Sequence, residues 1–350
     1  MNSREAAHPR RVVVLGRGGS HRTEAAIARG LRALGHHVRL IDVPRWHRRL
    51  GARAGRLVRW RVDGFEPDTV ILTRYAAELD GSSLEAVVHG RRSALWFFDL
   101  VTQAHQRIIR LGHAVDQMFV TCPSQTDLYR VAGVDWVGFL PQAVDPKVDR
   151  PARWTRRRYR CEVSFVGSGH YPYRHQLLRD VAGNFKLQIR GPGWAGAPED
   201  LPVVGGPVRG PQFARVVRGA SVSIGGHAVP NQRSERACAS NRMWKILGCG
   251  GFYLGPWVEG IDQLARGGEH CVWYDPADEA VDLIRYYLRK PDARAAIAQA
   301  GRRHALERHT YAHRLALLLE GQEYPLEATE VSASENSSHL DERESDQTRV

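Results

Sequence analysis

Short apolar runs alternate with amphipathic segments from the start of the chain. Val12 to Leu15 is a β-branched run, Gly16 to Ser20 is a glycine loop, and Thr23 to Leu34 repeats apolar residues with the period of a helix. Gly35 ends this helical segment, and a second apolar run follows from Val38 to Val43. The order of these elements predicts a β-α-β unit, which begins a parallel sheet.

The same alternation continues to about residue 145 and starts again after residue 160. Further apolar runs of the first half are at 69–74, 93–99, 117–121 and 135–141, with helical or turn-rich stretches between them. In the second half, strands are predicted within "CEVSFVGSG", "FKLQIRG", "SVSIGG", "GGFYLG" and "CVWYD", and the last helix predicted from this pattern spans 278–288. Repeated alternation of strand and helix is typical of doubly wound domains.

We therefore predict an α/β protein in which two Rossmann-like domains face a cleft. The predicted limits are residues 1–145 for the first domain, 146–160 for a basic linker, 161–324 for the second domain and 325–350 for a disordered acidic tail. Ligands of such sheets bind beyond the carboxyl ends of the strands. The site is therefore expected in the loops that follow the strands.

The composition is that of a soluble protein, with 43% hydrophobic and 25% charged residues. No apolar run approaches the roughly 20 residues that span a bilayer, so we expect no transmembrane segment and a cytoplasmic location. The cysteines are scattered and form no C-x-x-C pair; they are Cys122, Cys161, Cys238, Cys249 and Cys271. This spacing predicts reduced, mostly buried thiols rather than a disulfide framework or a zinc site.

The formal net charge of +12 is concentrated in two arginine-rich segments, Arg45 to Arg61 and Arg150 to Arg160. The first segment places Arg45, Arg48 and Arg49 on the same stretch of chain as Trp60. A polyanionic partner, either nucleic acid or an anionic membrane face, is one interpretation. The other is that the chain uses arginine in preference to lysine throughout, and that these charges only solvate helices.

The motifs that are missing exclude several classes of enzyme. The first glycine loop lacks G-x-G-x-x-G spacing, and no P-loop, D-x-D, H-E-x-x-H or G-x-S-x-G motif occurs in the chain. These absences argue against nicotinamide-dependent enzymes, Mg²⁺- or Mn²⁺-dependent sugar transferases, zinc proteases and serine hydrolases. We expect no metal ion and no cofactor.

Two segments of the second half have the residues of an anion site. The first has a glycine loop after a buried strand, and the second has a serine N-cap before a short helix. The residues concerned are Gly167, Ser168 and Arg174 in the first segment, and Ser240, Asn241, Arg242 and Lys245 in the second. Helix-start N–H groups and arginines both bind phosphate, so the two segments would suit a diphosphate. Ordinary capping with surface arginines is the alternative.

The second half also resembles a known family, the CgeB-like (spore-maturation-protein) glycosyltransferases. The resemblance spans about residues 161–316 and rests on "SNRMWKILGCGG", "GGEH", "WYD" and "HTYAHR", with "CEVSFVGSGHYPYR" and "RGPGW" before them. Members of this family have two Rossmann-like domains and are grouped with the metal-independent GT-B transferases. The resemblance implies a nucleoside-diphosphate-sugar donor, held mainly by the second domain.

The resemblance assigns Arg174, Ser240, Asn241 and Arg242 to the donor site. Many relatives have a glutamate at the position of Lys245, where it usually contacts the donor ribose, and a lysine cannot accept hydroxyl protons. Either Lys245 contacts phosphate, or another group such as Glu235 or Glu259 holds the ribose.

A sugar transferase that inverts configuration also needs a base on the acceptor side. Asp99 ends a predicted strand and is the first candidate, with capping of the next helix as its alternative role. His21, after the first glycine loop, is the second candidate.

Three functions remain open. The leading one is transfer of a sugar to an acceptor on the basic first domain, where a polyanion such as modified DNA would be bound by Arg45, Arg48, Arg49 and Trp60. A membrane lipid or cell-wall acceptor, with peripheral contact to anionic headgroups, would use the same charges. The third is a non-catalytic nucleic-acid-binding protein that has kept the transferase fold.

Overall fold

The structure is a computed structural model that describes residues 8–227 and 236–327. Its first sheet has six parallel strands in the order β2-β1-β3-β4-β5-β6. The elements of this part are β1 (Arg11–Gly16), α1 (Thr23–Ala33), β2 (His37–Asp42), α2 (Val43–Leu50), α3 (Ala54–Asp63), β3 (Thr69–Leu72), α4 (Gly81–Val88), β4 (Arg92–Phe97), α5 (Gln106–His113), β5 (Gln117–Val120), α6 (Ser124–Val131) and β6 (Val137–Phe139).

The second sheet also has six parallel strands, in the order β12-β11-β10-β7-β8-β9. Its elements are β7 (Cys161–Val166), α7 (Tyr173–Asn184), β8 (Leu187–Arg190), β9 (Val203–Gly205), α8 (Pro211–Gly219), β10 (Ala220–Ile224), α9 (Asn241–Gly248), β11 (Tyr253–Pro256), β12 (Val272–Tyr274), α10 (Glu279–Leu288), α11 (Pro291–Arg308) and α12 (Tyr311–Glu320). The prediction of an α/β protein with two Rossmann-like sheets is confirmed.

Burial explains why the central strands could be recognised in the sequence. In β1, Val12 to Leu15 are fully buried, because helices cover both faces of a parallel sheet. The edge strand β9 was not predicted, since two of its three residues, Val203 and Val204, are exposed and the run is too short for a periodic pattern. The helices α2 and α3 were not predicted either, because the arginines on their exposed faces dominate that segment.

The chain returns to the first sheet at its C-terminal end. Helix α12 packs on α1, where Gly30 lies so close to Tyr311 and Leu315 that a Cβ atom at Gly30 would be 2.7 Å from Leu315 Cδ1. The predicted limits placed these residues in the second domain, whereas α12 shares a hydrophobic core with β1 and α1. The tail prediction for 325–350 falls mostly on residues outside the described part.

A disulfide joins the two sheets, contrary to the expectation of reduced thiols. Cys122 follows β5 and Cys238 lies three residues before α9, so the bond connects residues 116 positions apart in the sequence. Both sulfur-bearing residues are buried. The expectation was wrong because two cysteines so far apart have no pairing signal in one sequence. Cys161, Cys249 and Cys271 are free, and the last two are buried as predicted.

Candidate active site

The candidate site lies at the carboxyl ends of β7 and β10, which are neighbours in the second sheet. The glycine loop after β7 leads into α7, and the segment after β10 is followed by α9. In an open parallel sheet, this edge is where ligands bind. The topology therefore brings together the two segments that the sequence assigned to an anion site.

Ser240 caps α9 as predicted. Its side-chain oxygen accepts a hydrogen bond from the backbone N–H of Met243 at 3.3 Å. Asn241 and Arg242 occupy the first two helical positions, where backbone N–H groups have no partner inside the helix. Arg242 therefore belongs to the positive end of the helix, where its own charge adds to the helix dipole.

Arg174 and Arg242 share one aromatic ring. Their guanidinium carbons lie 5.8 and 4.4 Å from the centre of the Phe165 ring. Arg174 is fixed by hydrogen bonds from Nε to the His227 carbonyl at 2.6 Å and from Nη1 to the Ser168 carbonyl at 3.1 Å. The Nη1 atom of Arg242, by contrast, is buried and has no hydrogen-bond partner among the described residues.

Both guanidinium groups are held in an unfavourable environment. Burial, together with the nearby charge of Arg242, lowers the pKa of Arg174 to about 9. Burial also lowers the pKa of Arg242. No carboxylate of residues 8–227 or 236–327 forms an ion pair with either group. Two buried cations without a counter-charge are stabilised when an anion binds between them.

The glycine loop has a fixed shape. The Gly167 N–H donates to the Arg190 carbonyl at 2.9 Å, and the Gly167 carbonyl accepts from Trp194 Nε1 at 3.0 Å. Gly191, with φ of +152°, lies so close that a Cβ atom there would be 1.8 Å from the Gly167 oxygen. Ser168 is used within the loop, since its Oγ accepts from the His170 N–H at 3.2 Å. Gly167 therefore shapes the site through its backbone, whereas Ser168 does so through its hydroxyl and through the carbonyl that accepts from Arg174.

Two buried tyrosines lie beneath the arginines, and the sequence did not indicate them. Tyr274 donates its hydroxyl hydrogen to the Gly225 carbonyl at 3.1 Å, and Tyr253 interacts with Ser240 and Arg242. Burial raises the pKa of both hydroxyls, which keeps them neutral. Each belongs to a predicted strand, "GGFYLG" or "CVWYD", so a polar group within an apolar strand was the available signal.

Lys245 is not among the charges that act on the arginine pair. Its charge acts on Asp149, a buried carboxyl in the segment between the two sheets. Burial raises the pKa of Asp149, and the charge of Lys245 opposes this increase. Of the alternative ribose ligands, Glu259 is half-exposed and pairs with Arg236 at 3.9 Å. Glu235 lies outside the described residues. The position of Lys245 thus favours contact with the interdomain segment over contact with phosphate.

The two predicted bases lie in different places on the first domain. Asp99, after β4, forms an ion pair with Arg74 and is partly exposed. His21 packs against Gly210, which precedes α8 of the second domain, and its buried Nδ1 has no hydrogen-bond partner among the described residues. His21 therefore contributes to the contact between the domains, whereas Asp99 lies at the carboxyl ends of the strands of the first sheet.

The sequence reasoning missed Glu24. This residue is in the first turn of α1, is 4% exposed, and packs against Gly16. Burial raises its pKa, although the backbone N–H of Arg17 and the charges of Arg22 and Arg74 oppose the shift. An acidic residue directly after a glycine loop was the available signal. The first-domain edge therefore holds a buried carboxyl as well as Asp99.

The predicted acceptor surface lies on α2 and α3. Arg45, Arg48 and Arg49 are exposed, and Trp60 is 68% exposed. The aromatic partner of these arginines is Trp46, because Arg45 and Arg49 lie 5.8 and 5.9 Å from its ring. Between α2 and the segments after β3 and β4 is a groove of about 580 Å³. Such a groove at the carboxyl edge of the first sheet could accommodate an acceptor.

No group of three or more histidine, cysteine or acidic side chains among the described residues is arranged to hold a metal ion. None of the helices in the described ranges has the length and apolar character to cross a membrane.

Comparisons with known proteins agree with this geometry. Residues 174–320 match the "Glycosyl transferase-like" family (Glyco_trans_1_2). No curated protein matches the chain. HepE from Anabaena, solved with UDP and glucose, is similar in structure, with a TM-score of 0.62, 12% identity, and coverage of 89% of this chain and 100% of that one.

Two other solved structures are similar to a comparable degree. The sucrose-phosphate synthase of Thermosynechococcus elongatus has a TM-score of 0.63 and 13% identity, over 89% of this chain and 98% of that one. An α-glucosyltransferase solved with UDP and a 13-mer DNA has a TM-score of 0.62 and 10% identity, over 88% of this chain and 98% of that one. These identities show a shared fold. They confirm the prediction of a GT-B fold, and the match to the glycosyltransferase-like family model covers residues 174–320.

Proposed function

We propose that this protein transfers a sugar from a nucleoside-diphosphate sugar to an acceptor held by the first domain. The observation that carries the proposal is the pair Arg174 and Arg242, two buried cations without a carboxylate partner among the described residues, beside the start of α9. A diphosphate supplies the missing negative charge and accepts hydrogen bonds from both side chains. HepE, which has the same fold, was solved with UDP and glucose.

In the proposed reaction, the bond between the anomeric carbon and the diphosphate oxygen breaks, and the electron pair leaves with the diphosphate. The two arginines and the helix start stabilise this developing charge, so no metal ion or cofactor is required. The acceptor oxygen bonds to the anomeric carbon and its proton passes to a base. Asp99 remains the first candidate for this base, because it lies at the carboxyl edge of the first sheet, and His21 the second.

For the acceptor we propose a polyanion such as DNA, bound by the exposed Arg45, Arg48, Arg49 and Trp60 beside the groove of the first domain. The α-glucosyltransferase of similar fold was solved with DNA, which supports this choice. A membrane lipid or a cell-wall polymer would use the same charges. A cytoplasmic location and membership in the CgeB-like subfamily are parts of the same proposal.

The test is isothermal titration with a panel of UDP-, GDP- and dTDP-sugars, together with an assay of nucleotide release. We expect one panel member to bind, and Arg174→Ala or Arg242→Ala to weaken its binding roughly 10- to 100-fold, as expected for a lost charge-assisted hydrogen bond. Arg303→Ala, an exposed arginine on α11, is the matched control.

The proposal is wrong if no panel member binds or is hydrolysed, or if both arginine variants bind the donor as well as the wild type does. Tight, salt-dependent DNA binding without any donor binding would instead support the non-catalytic nucleic-acid-binding protein.

A further inference from the structure

The second arginine-rich segment lines a groove that is separate from the arginine pair and from the groove beside α2. Two cavities of about 850 and 460 Å³ share Arg153 and Trp154. The larger lies at the start of β7 and is lined also by Arg160, Lys186 and Arg218. The smaller is lined also by Lys147, Arg150 and Arg215, and it reaches His21 of the first domain. We call the two cavities together the linker groove.

The linker groove is strongly basic. Its lining includes seven lysines and arginines against one carboxylate, that of Glu162. That carboxylate accepts a hydrogen bond from the backbone N–H of Lys186 at 2.7 Å. In the part of the chain that the structure describes, none of the seven cations forms an ion pair. Their charges are therefore available to an external polyanion.

Trp154 lies at the junction of the two cavities and is 50% exposed. The guanidinium carbon of Arg215 is 4.1 Å from its ring centre, and that of Arg156 is 5.8 Å away. The neighbouring Thr155 hydroxyl donates to the Arg215 carbonyl at 2.6 Å, which anchors this segment to α8. The Trp154 ring is thus held in place by its neighbours and remains exposed to solvent.

We propose that the linker groove binds single-stranded nucleic acid and leads it to the cleft beside His21. Sites for single strands combine a basic groove that follows the backbone with exposed aromatic rings on which unpaired bases stack. In a duplex the bases are paired and stacked on one another, so none is available to stack on Trp154. At the cleft, the line of cations continues with Arg22 and Arg209, which come from different domains and act on each other electrostatically. The inference rests on the proposed function in one respect, because it names single-stranded nucleic acid as the class of acceptor for the proposed sugar transfer.

The test is fluorescence anisotropy of a labelled oligothymidylate of about 15 nucleotides, titrated with the full-length protein. For four phosphate contacts, the affinity should fall about 50-fold between about 50 and 200 mM salt. Trp154→Ala should weaken binding at least about fivefold through lost stacking. The pair Arg153→Gln and Arg218→Gln should weaken it and reduce the salt dependence, whereas Arg289→Gln with Arg303→Gln, which removes the same charge elsewhere, should do neither. Thermal unfolding of every variant serves as the check on folding.

Several outcomes would overturn the inference. One is equal affinity of the wild type and both groove variants for the oligonucleotide, and another is loss of affinity only in Trp60→Ala on α3. A third is binding of heparin or of a DNA duplex that is tighter than binding of the single strand. Titration of the same variants with nucleotide sugars keeps this result separate from the proposed function. A groove variant that loses the oligonucleotide but retains the donor supports the inference, and failure of donor binding alone counts only against the transferase.

Discussion

At the scale of single residues, Arg242 has opposing effects on binding and stability. Its Nη1 atom is buried without a described partner and its charge adds to that of Arg174. A charge in this position costs free energy of folding until a ligand binds. Such a conflict between stability and function is common in binding sites.

We therefore predict that Arg242→Met makes the unliganded protein more stable and weakens its binding of the donor. A gain of about 1 kcal/mol would raise Tm by roughly 1–2 °C for a chain of 350 residues. The same variant should lose most of the Tm increase that the bound nucleotide gives the wild type. Differential scanning fluorimetry with and without UDP measures both effects. A lower Tm of the free variant would show that contact with the Phe165 ring outweighs the charge.

Glu24 gives a prediction about pH. Burial raises the pKa of its carboxyl from the ordinary value of 4.5, so the folded state binds a proton more tightly than the unfolded state. By linkage, the contribution of Glu24 to the free energy of unfolding falls as pH rises from 4.5 through the raised pKa. Glu24→Gln does not titrate, so the variant should gain stability relative to the wild type as pH rises above 4.5.

Chemical denaturation at a series of pH values measures this difference. Glu85→Gln, an exposed residue on α4, controls for the loss of one negative charge. A difference between wild type and Glu24→Gln that is constant with pH would contradict the prediction, because it would mean that the hydrogen bonds and arginine charges cancel the effect of burial and that folding leaves the pKa unchanged.

At the scale of elements, the Ser240 side chain at the start of α9 affects both the stability of the protein and the proposed donor site. Ser240 caps the helix by accepting from the Met243 N–H, and the next residues carry the free N–H groups and Arg242. Ser240→Ala should lower the free energy of unfolding by about 1 kcal/mol. Ser240→Asp keeps a capping oxygen and adds a negative charge at the phosphate site.

Ser240→Asp is thus predicted to unfold at nearly the wild-type Tm and yet to bind the nucleotide sugar at least about tenfold more weakly. Ser240→Ala should show the reverse pattern, with a lower Tm and a smaller loss of affinity. Calorimetric titration and thermal unfolding of both variants make the comparison. Unchanged affinity in Ser240→Asp would mean that the diphosphate does not lie at the start of α9.

Local patterns in the sequence predicted most of these elements but few of their contacts. The strands β1 and β7 and the cap of α9 depend on neighbouring residues, so periodicity and cap preference were enough to find them. The shared ring of Phe165, in contrast, requires knowledge that β7 and β10 are adjacent. The position of Lys245 facing Asp149 and the packing of α12 on α1 likewise depend on how the chain returns in space. A single sequence has no local signal for such contacts.

At the scale of the whole molecule, the two sheets are connected in several ways. The Arg29 side chain on α1 pairs with the buried Asp145, and α12 packs back on α1. The Cys122–Cys238 disulfide adds a covalent connection, and Cys238 is two residues from the cap of α9. The position of α9, the helix proposed to bind the donor, is therefore coupled to the first sheet. A disulfide of this kind is rare in reducing compartments, so its state in cells also tests the proposed location.

The disulfide leads to the last prediction. Protein kept under non-reducing conditions and then denatured should have three titratable thiols, those of Cys161, Cys249 and Cys271, rather than five. Because the bond closes a loop across 116 residues, Cys122→Ser with Cys238→Ser should lower the free energy of unfolding, by about 4 to 5 kcal/mol if loop entropy dominates. Donor affinity should fall as well, since α9 is then held by packing alone. Cys249→Ser, a buried free thiol, is the control for loss of a sulfur atom. A count of five thiols, or an unchanged Tm in the double variant, would show that packing alone holds the two sheets together.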